Sequence, residues 1–366
     1  MRLGYFAMPM HPDTRPWAET LADDRDAVIL ADRLGFHDAF IGEHLTDRLE
    51  NITNSMIFQA SLIHSTQQIR LATGTTNLSH MHPALVAANA AMMDHLSGGR
   101  FILGVSPGAL PSDAEILGIL DEDRNVMFAD AIDTILRIWQ DKAPYDIESS
   151  NGFFTARTTR TYHAGLGLGA VRGPLQQPRP EIVGTVVAPF SKGVIAMGQR
   201  DFHPLSANFL LPQWLRGHWD NYLTGAGERA DTADWRVART IFVAADDRTA
   251  RRYALEDARS PYRFYYDQML RKMTYGGRLE LFKHSRSQPD EEVTLESILD
   301  SLVICGSPQH VAEQIIQLIE TTGDFGEIVY AGLDWVDAEL GRTSMTLMAE
   351  QVMPLVNDWL AKERVA

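Results

Sequence analysis

The feature that most constrains the fold is an alternation, repeated along the chain, between short apolar runs and longer stretches of helical periodicity. Short apolar runs bounded by turn residues predict buried strands, and the longer stretches predict amphipathic helices. Eight such repeats without a linker between halves favour one TIM-like (β/α)8 barrel domain over residues 1–366, rather than a doubly wound sheet. The predicted strands are RLGYFAM, HDAFIGEH, IRLATGTTNL, RFILGVS, PEIVGTVV, HPLSANF, WRVARTIFVAAD and GEIVYAGL.

Two irregular segments interrupt this alternation, at about residues 141–180 and 247–301. We expect both to be insertions that decorate the rim of the barrel. The first contains GLGLGAVRG, which has the glycines of a dinucleotide fingerprint. No buried strand precedes it and no amphipathic helix follows, so we interpret it as a loop. LVICGSP, after the second insertion, is interpreted as an accessory segment outside the eight repeats.

Charge and composition limit the partners. The 366 residues include 33 basic and 48 acidic ones, a formal charge of −15, which disfavours nucleic acid and anionic membrane surfaces. The single cysteine, Cys305, cannot form an internal disulfide. The start MRLGYFAMPM lacks the pattern of a signal peptide, and no apolar run reaches membrane-spanning length. We therefore expect a cytoplasmic protein, and we predict no metal site.

Polar residues follow several predicted strands. Glu43 and His44 come after the second strand, Ser106 comes after the fourth, and Ser191 with Lys192 begins the helix after the fifth. Each alone is compatible with a surface loop or a helix cap. In a β/α barrel, however, the residues just after the strands surround one active-site mouth, so together these side chains indicate a shared pocket.

Several motifs, in order and at matching spacing, give the chain a family resemblance. It resembles the bacterial luciferase-like family of flavin-dependent enzymes over nearly its whole length. Within that family it is most similar to the oxygenating subunits of two-component, reduced-FMN monooxygenases, such as those acting on diketocamphane and limonene. The motifs are GFHDAFIGEH with ENITN, LATGTTNLSHMHPALVA, LSGGRFILGVSPGA, GQRDFHPLSA, VICGSPQHVAEQI and VMPLV.

The resemblance implies a flavin across the carboxyl ends of the strands and gives some residues expected roles. His44 falls on the family's active-site histidine, and the neighbouring Glu43 either orients its ring or accepts an internal salt bridge. Gly74 and Thr75 stand where the family often has a non-proline cis peptide under the flavin; a bend in the barrel is the other explanation for Gly74. The expected flavin-binding residues are Gly74, Thr75, Asn77, Ser106, Phe190, Ser191 and Lys192.

The phosphate end of the flavin is expected at the predicted helix that opens near Ser191, because free N–H groups at a helix start attract phosphate. Lys192 would add a positive charge, although it could equally be a solvated surface lysine. The chain departs from luciferase itself, since Pro107 replaces a phosphate-binding arginine and Ser106 replaces a reactive cysteine. This departure makes light-emitting activity on an aldehyde doubtful.

The implied reaction is oxygenation of a small apolar or cyclic organic substrate by O2, activated as a flavin hydroperoxide. The chain lacks a nicotinamide fingerprint, so reduced FMN should come from a separate flavin reductase. The expected substrate contacts are Met8, His11, His80 and Phe153. Baeyer–Villiger insertion, epoxidation and hydroxylation all remain open. The alternatives are an F420-dependent dehydrogenase and a non-catalytic flavin- or partner-binding barrel. We also expect a homodimer.

Overall fold

The computed structural model of the protein describes residues 1–7 and 9–363, and within them eight parallel strands close into a barrel. The ring runs β1, β2, β3, β5, β8, β9, β10, β12 and back to β1. This architecture confirms the predicted TIM-like barrel. In chain order the strands are β1 (Arg2–Ala7), β2 (Asp38–Ile41), β3 (Arg70–Thr73), β4 (Thr76–Asn77), β5 (Phe101–Ser106), β6 (Asp146–Glu148), β7 (Thr155–Arg157), β8 (Glu181–Val186), β9 (His203–Ser206), β10 (Arg236–Val243), β11 (Val303–Gly306) and β12 (Glu327–Gly332).

Helices surround the barrel, and several begin with proline at the first helical position, where the missing N–H costs nothing. The α-helices are α1 (Trp17–Arg33), α2 (Ser55–Ala60), α3 (Pro83–Leu96), α4 (Pro111–Ile116), α5 (Arg124–Gln140), α6 (Gly193–Gln199), α7 (Pro212–Ala226), α8 (Asp247–Arg251), α9 (Pro261–Tyr275), α10 (Leu295–Leu302), α11 (Pro308–Thr322), α12 (Ala338–Leu347) and α13 (Met353–Glu363). Among residues 1–7 and 9–363, none of these is long and apolar enough to cross a bilayer.

The two predicted insertions have their own structure. In the first, β6 and β7 form an antiparallel hairpin that packs on α5, where the Asn151 amide donates to Asp130 at 2.8 Å. The GLGLGAVRG segment of this insertion is a loop with one short 3-10 turn at Ala164–Leu166. The second insertion contains α8, α9 and α10. β11 then pairs with the second half of β10 outside the closed ring, as expected for an accessory segment.

The barrel interior is layered. Its middle layer takes one apolar side chain from each ring strand: Phe6, Phe40, Ala72, Ile102, Val183, Leu205, Ala238 and Val329. Side chains two residues earlier on a strand face the same way and form a layer toward the amino ends of the strands. That layer is strongly charged, because it contains Asp38, Arg70, Glu181, His203, Arg236 and Glu327.

Candidate active site at the carboxyl end of the barrel

The carboxyl end of the barrel has a floor of small residues. By strand alternation, the inward positions just above the apolar layer are, among the described residues, Gly42, Gly74, Gly104, Thr185, Ala207, Thr240 and Ala331, five of which are glycine or alanine. A Cβ added at Gly74 would lie 3.0 Å from Phe40 Cβ, so a side chain there would press on the layer below. Most of the floor therefore consists of residues with little or no side chain.

Three of the predicted flavin residues meet beside this floor. Thr75 Oγ1 donates to Ser106 Oγ at 2.7 Å, and Ser106 Oγ donates to Asn77 Oδ1 at 2.7 Å. The Gly74–Thr75 peptide bond is cis, as the family pattern implied. Strand ends of β3, β4 and β5 thus bring together side chains that the sequence separates by about thirty residues.

Glu43 fixes the backbone around this cluster. Its Oε2 accepts hydrogen bonds of 2.8 Å from both the backbone N–H and the hydroxyl of Ser55, at the start of α2. Its Oε1 accepts from the Asn77 backbone N–H at 3.2 Å. Burial raises the pKa of Glu43, and these hydrogen bonds oppose that shift. The carboxylate ties β2, α2 and β4 together, and within residues 1–7 and 9–363 it makes neither of the two contacts expected of it, to the His44 ring or to a salt-bridge partner.

The His44 ring lies between two other carboxylates. Its Nε2 is 3.2 Å from Glu50 Oε2, and its Nδ1 is 3.5 Å from Asp113 Oδ2. Burial lowers the pKa of His44, but Glu50 and Asp113 outweigh burial and raise it to about 9. Asp113 is itself held by the backbone N–H groups of Leu45 and Thr46. His44 is therefore a cation at neutral pH, with N–H groups on both sides of the ring.

Helix α9, from the second insertion, spans part of the mouth. At one end Lys272 forms ion pairs with Asp47 and with Glu50, the latter at 3.1 Å, and so reaches the loop that carries His44. Toward the other end, Tyr266 OH lies 2.9 Å from Thr240 Oγ1 on β10. Together α9 and the small-residue floor enclose the space beside His44.

The predicted phosphate-binding residues lie at the mouth end of β8. Phe190 is 55% exposed and packs against Trp214. The Ser191 carbonyl accepts from Asn221 at 2.9 Å, and the exposed Lys192 immediately precedes α6. A cavity of about 320 Å³ beside Phe190 is lined by three basic side chains and one acidic side chain from the second insertion, namely Arg278, Lys283, Arg286 and Glu280.

The four predicted substrate residues are placed differently from one another. Met8 lies outside the described residues. His11 is buried, with Nδ1 2.6 Å from Asp334 and Nε2 3.2 Å from Asp24, so carboxylates occupy both ring nitrogens.

His80 lies by the mouth against Gly108, where an added Cβ would be 2.6 Å from the His80 Nε2 atom. Burial lowers the pKa of His80, and the positive charges of Arg124 and His44 lower it further. Phe153 sits in the turn of the β6–β7 hairpin, beside Asp130 of α5.

Several residues of the site were missed by sequence reasoning. Glu50 and Asp113 hold the His44 ring, although they lie 6 and 69 positions after it. Asn208 and Tyr265 contribute polar groups at the ends of β9 and α9. Only Glu50 carried a signal, because it belongs to the ENITN motif that contributed to the family resemblance.

Comparison with known proteins agrees with this geometry. The family model described as luciferase-like monooxygenase matches residues 1–324. The chain belongs to the luciferase-like monooxygenase family. The prediction of a luciferase-like flavin monooxygenase is thereby confirmed, and the Gly74–Thr75 peptide bond is cis.

Similar proteins within this family cover nearly the whole chain. The 4-hydroxyprotoasukamycin monooxygenase of Streptomyces nodosus subsp. asukaensis is 30% identical over 97% of this chain and 92% of its own length. The limonene 1,2-monooxygenase of Rhodococcus erythropolis is 28% identical, covering 97% and 86%. The oxygenating constituent of 3,6-diketocamphane monooxygenase from Pseudomonas putida, solved in complex with FMN, has a TM-score of 0.86, 25% identity and coverage of 97% and 98%.

Proposed function

We propose that this luciferase-like monooxygenase uses reduced FMN, supplied by a separate flavin reductase, and O2 to oxygenate a small apolar or cyclic organic substrate. One observation supports this proposal most directly. His44 and the Thr75–Asn77–Ser106 cluster lie together at the rim of a barrel mouth whose floor is made of small residues. Support comes from the similar oxygenating constituent solved with FMN.

The residues at the mouth fit a planar, polar-edged ring. Gly42, Gly74 and Gly104 leave the floor of the mouth flat, while the hydroxyl of the inward residue Thr185 is buried and lacks a partner among the described residues. A buried polar atom without a partner is costly, so such atoms mark places where a ligand or water completes the hydrogen bonding. The flavin ring would rest on this floor, with the Thr75–Asn77–Ser106 cluster along one edge.

The phosphate would dock near Phe190, Ser191 and Lys192. The basic side chains that line the neighbouring cavity, Arg278, Lys283 and Arg286, favour an anion in this part of a strongly acidic chain. Arg124 is a second cation near the mouth, where its Nη1 donates to the Gly108 carbonyl at 3.3 Å.

In the proposed reaction, bound reduced FMN supplies the electrons and activates O2. His44 holds a proton at Nδ1 or Nε2 beside the mouth, and Glu50 with Asp113 keeps it charged. An imidazolium in this position can donate a hydrogen bond or a proton to a developing oxyanion. α9 covers part of the mouth and so limits the entry of water.

The type of oxygenation is not assigned. Among similar proteins, one is named a limonene 1,2-monooxygenase and another a type II Baeyer–Villiger monooxygenase. Epoxidation, Baeyer–Villiger insertion and hydroxylation therefore all belong in the first substrate screen, against cyclic ketones and terpenes.

The test is oxygen uptake by the purified chain with chemically reduced FMN, with reduced F420 in parallel. FMN-dependent uptake that forms an oxygenated product supports the proposal. Product formation only with F420 would favour the dehydrogenase alternative, and flavin binding without turnover would favour a non-catalytic barrel. NADH oxidation by the chain alone would contradict the need for a reductase.

We also propose that a second copy of the chain packs on α2 and α3. Four large apolar side chains there are mostly exposed, namely Ile57 at 74%, Leu85 at 57%, Met92 at 57% and Leu96 at 55%. Clustered exposed apolar groups of this kind mark interaction surfaces. Light scattering of Met92→Glu against the unmodified chain tests the homodimer, since a charge in a buried interface would shift the mass toward the monomer.

A further inference from the structure

Helix α9 contributes hydroxyl groups to the mouth in addition to its Lys272 ion pairs. Tyr262, Tyr265, Tyr266 and Met269 are buried on one face, at the spacing of a helix side that packs inward. Tyr265 and Tyr266 reach the carboxyl ends of β9 and β10 through Asn208 and Thr240. Their hydroxyls therefore lie on the side of the mouth opposite β3 and β5.

The hydrogen bonds at this end of α9 fix the direction of one proton. Asn208 Nδ2 carries two protons, and it donates to Thr240 Oγ1 at 3.0 Å and to Tyr265 OH at 3.3 Å. Tyr265 is thus an acceptor from Asn208. Its own O–H proton finds no acceptor among the side chains and backbone of residues 1–7 and 9–363.

Tyr262, on the same helix, has a hydroxyl whose proton does find an acceptor. Its O–H donates to the Ile241 carbonyl at 3.1 Å, away from the mouth. Tyr265 is 3% exposed and its hydroxyl lies within electrostatic range of Glu50, the carboxylate beside His44. Burial raises the pKa of Tyr265, with smaller contributions from Tyr266 and Glu50, so the phenol remains a donor.

We propose that Tyr265 is a specificity-determining residue whose hydroxyl donates a hydrogen bond to an oxygen atom of the substrate. This inference rests on the proposed function and narrows its substrate class. The preferred substrate would be a cyclic compound with a carbonyl or similar acceptor, rather than a plain hydrocarbon. Asn208 is the positioning residue. Its side-chain amide donates to the Tyr265 hydroxyl oxygen, so the Tyr265 O–H proton points away from Asn208.

The physical reason is the cost of burying an unpaired donor. A ketone that enters the mouth gives the Tyr265 proton an acceptor, whereas a hydrocarbon of the same shape removes water and leaves the donor unpaired. Sites built to hydrogen-bond a substrate therefore discriminate strongly against analogues that lack the polar group. We expect a preference of about tenfold or more for the ketone of a matched pair.

The experiment measures dissociation constants of matched pairs on the FMN-loaded chain by calorimetry. The probes are camphor with bornane and cyclohexanone with cyclohexane. The unmodified chain should prefer each ketone about tenfold or more, and Tyr265→Phe should lose that preference. Tyr262→Phe is the matched control, because its hydroxyl donates to Ile241, and it should keep the preference.

Equal affinities within each pair for the unmodified chain would overturn the assignment. So would failure of both ketones to bind, or a ketone preference that survives in Tyr265→Phe. Thermal melting checks that both variants are folded. If Tyr265→Phe does not fold, Asn208→Ala gives a second test, because it should weaken ketone binding more than hydrocarbon binding. FMN binding by the unmodified chain is measured separately, and its absence would contradict the proposed function rather than this inference.

Discussion

The two ends of the barrel use polar residues in opposite ways. At the amino end, Asp38 accepts from Arg70 at 2.6 Å and from Arg236 at 2.9 Å, and Glu181 contacts the same two arginines at 2.7 and 2.8 Å. At the carboxyl end, small residues form the floor, and the hydroxyl of the inward residue Thr185 has no partner within the described residues.

This difference indicates that polar residues at the amino end stabilise the fold, whereas those at the carboxyl end are available to bind a ligand. Charges in the interior of a barrel are tolerated when they pair with one another, and the amino-end charges are paired: even Glu327, whose oxygens make no hydrogen bond among the described residues, lies 3.4 Å from His37 and 3.6 Å from Arg236. Polar groups left unpaired cost stability and are retained where a ligand satisfies them. The contrast predicts that substitutions at the amino end affect folding, whereas those at the carboxyl end affect FMN, substrate or proton transfer.

The largest expected effect is at the amino end. Arg236→Met should lower the free energy of unfolding by about 3–5 kcal/mol, because it leaves the buried carboxylates of Asp38 and Glu181 short of a partner. Arg157→Met is the control, since its ion pairs with Asp146 and Glu148 lie on the surface, and it should leave the free energy of unfolding nearly unchanged. Urea titration measures both, and similar losses would contradict the paired interior layer.

The next effect concerns chemistry at the carboxyl end. His44→Asn should reduce product per reduced FMN about 10²-fold, the usual scale for a positioned acid or base, while melting temperature and FMN affinity change little. Hydrogen peroxide released in single turnover should rise as product falls. His37→Asn, which removes a 2.9 Å contact to Asp38 at the amino end, should instead lower stability and keep the product yield. An unchanged yield for His44→Asn would falsify its catalytic role.

The strands were predictable because their apolar runs are short and bounded, and the ring of eight follows from repetition alone. The β6–β7 hairpin was not predicted, since strands of three residues carry too little alternation to detect. Its position also decides where Phe153 goes. Sequence order could not reveal that the hairpin packs on α5 through Asn151 and Asp130 and contacts His82 before α3.

The site was predictable to the extent that it lies directly after strands. Glu43, Asn77 and Ser106 come together for that reason. The partners of each side chain could not be predicted, because loops from different repeats meet only after the barrel closes. The carboxylates at His44 are therefore Glu50 and Asp113, not the adjacent Glu43.

A smaller effect tests the charge on His44. Its pKa of about 9 lies above the ordinary 6.5, so the protonated form is present at neutral pH and is lost as pH rises through about 9. If that proton is needed, product formation falls over the same range. Glu50→Gln removes a negative charge that raises the pKa, so the fall should move down by about one pH unit.

The control for this pH profile is Glu148→Gln, which neutralises a carboxylate paired with Arg157 on the hairpin surface. It should leave the profile of product yield against pH unchanged. Folding stability should change with pH in the same direction. The His44–Glu50 pair contributes its full stabilisation of the fold below pH 6.5, and this stabilisation is lost as pH rises toward 9. If product yield against pH is the same for Glu50→Gln and the unmodified chain, the pH dependence does not come from the protonation of His44.

The smallest expected effect is at the phosphate end of the proposed flavin site. Lys192 is exposed, so water and salt screen its charge, and Lys192→Ala should weaken FMN binding by about 1 kcal/mol. Riboflavin lacks the phosphate, so its affinity should not change. Lys142→Ala, an exposed lysine after α5, is the control and should leave both affinities unchanged. Fluorescence titration at low and high salt gives the comparison. An equal loss for FMN and riboflavin would place Lys192 at the ring instead, and no loss would move the phosphate toward another cation near the mouth, such as Arg124.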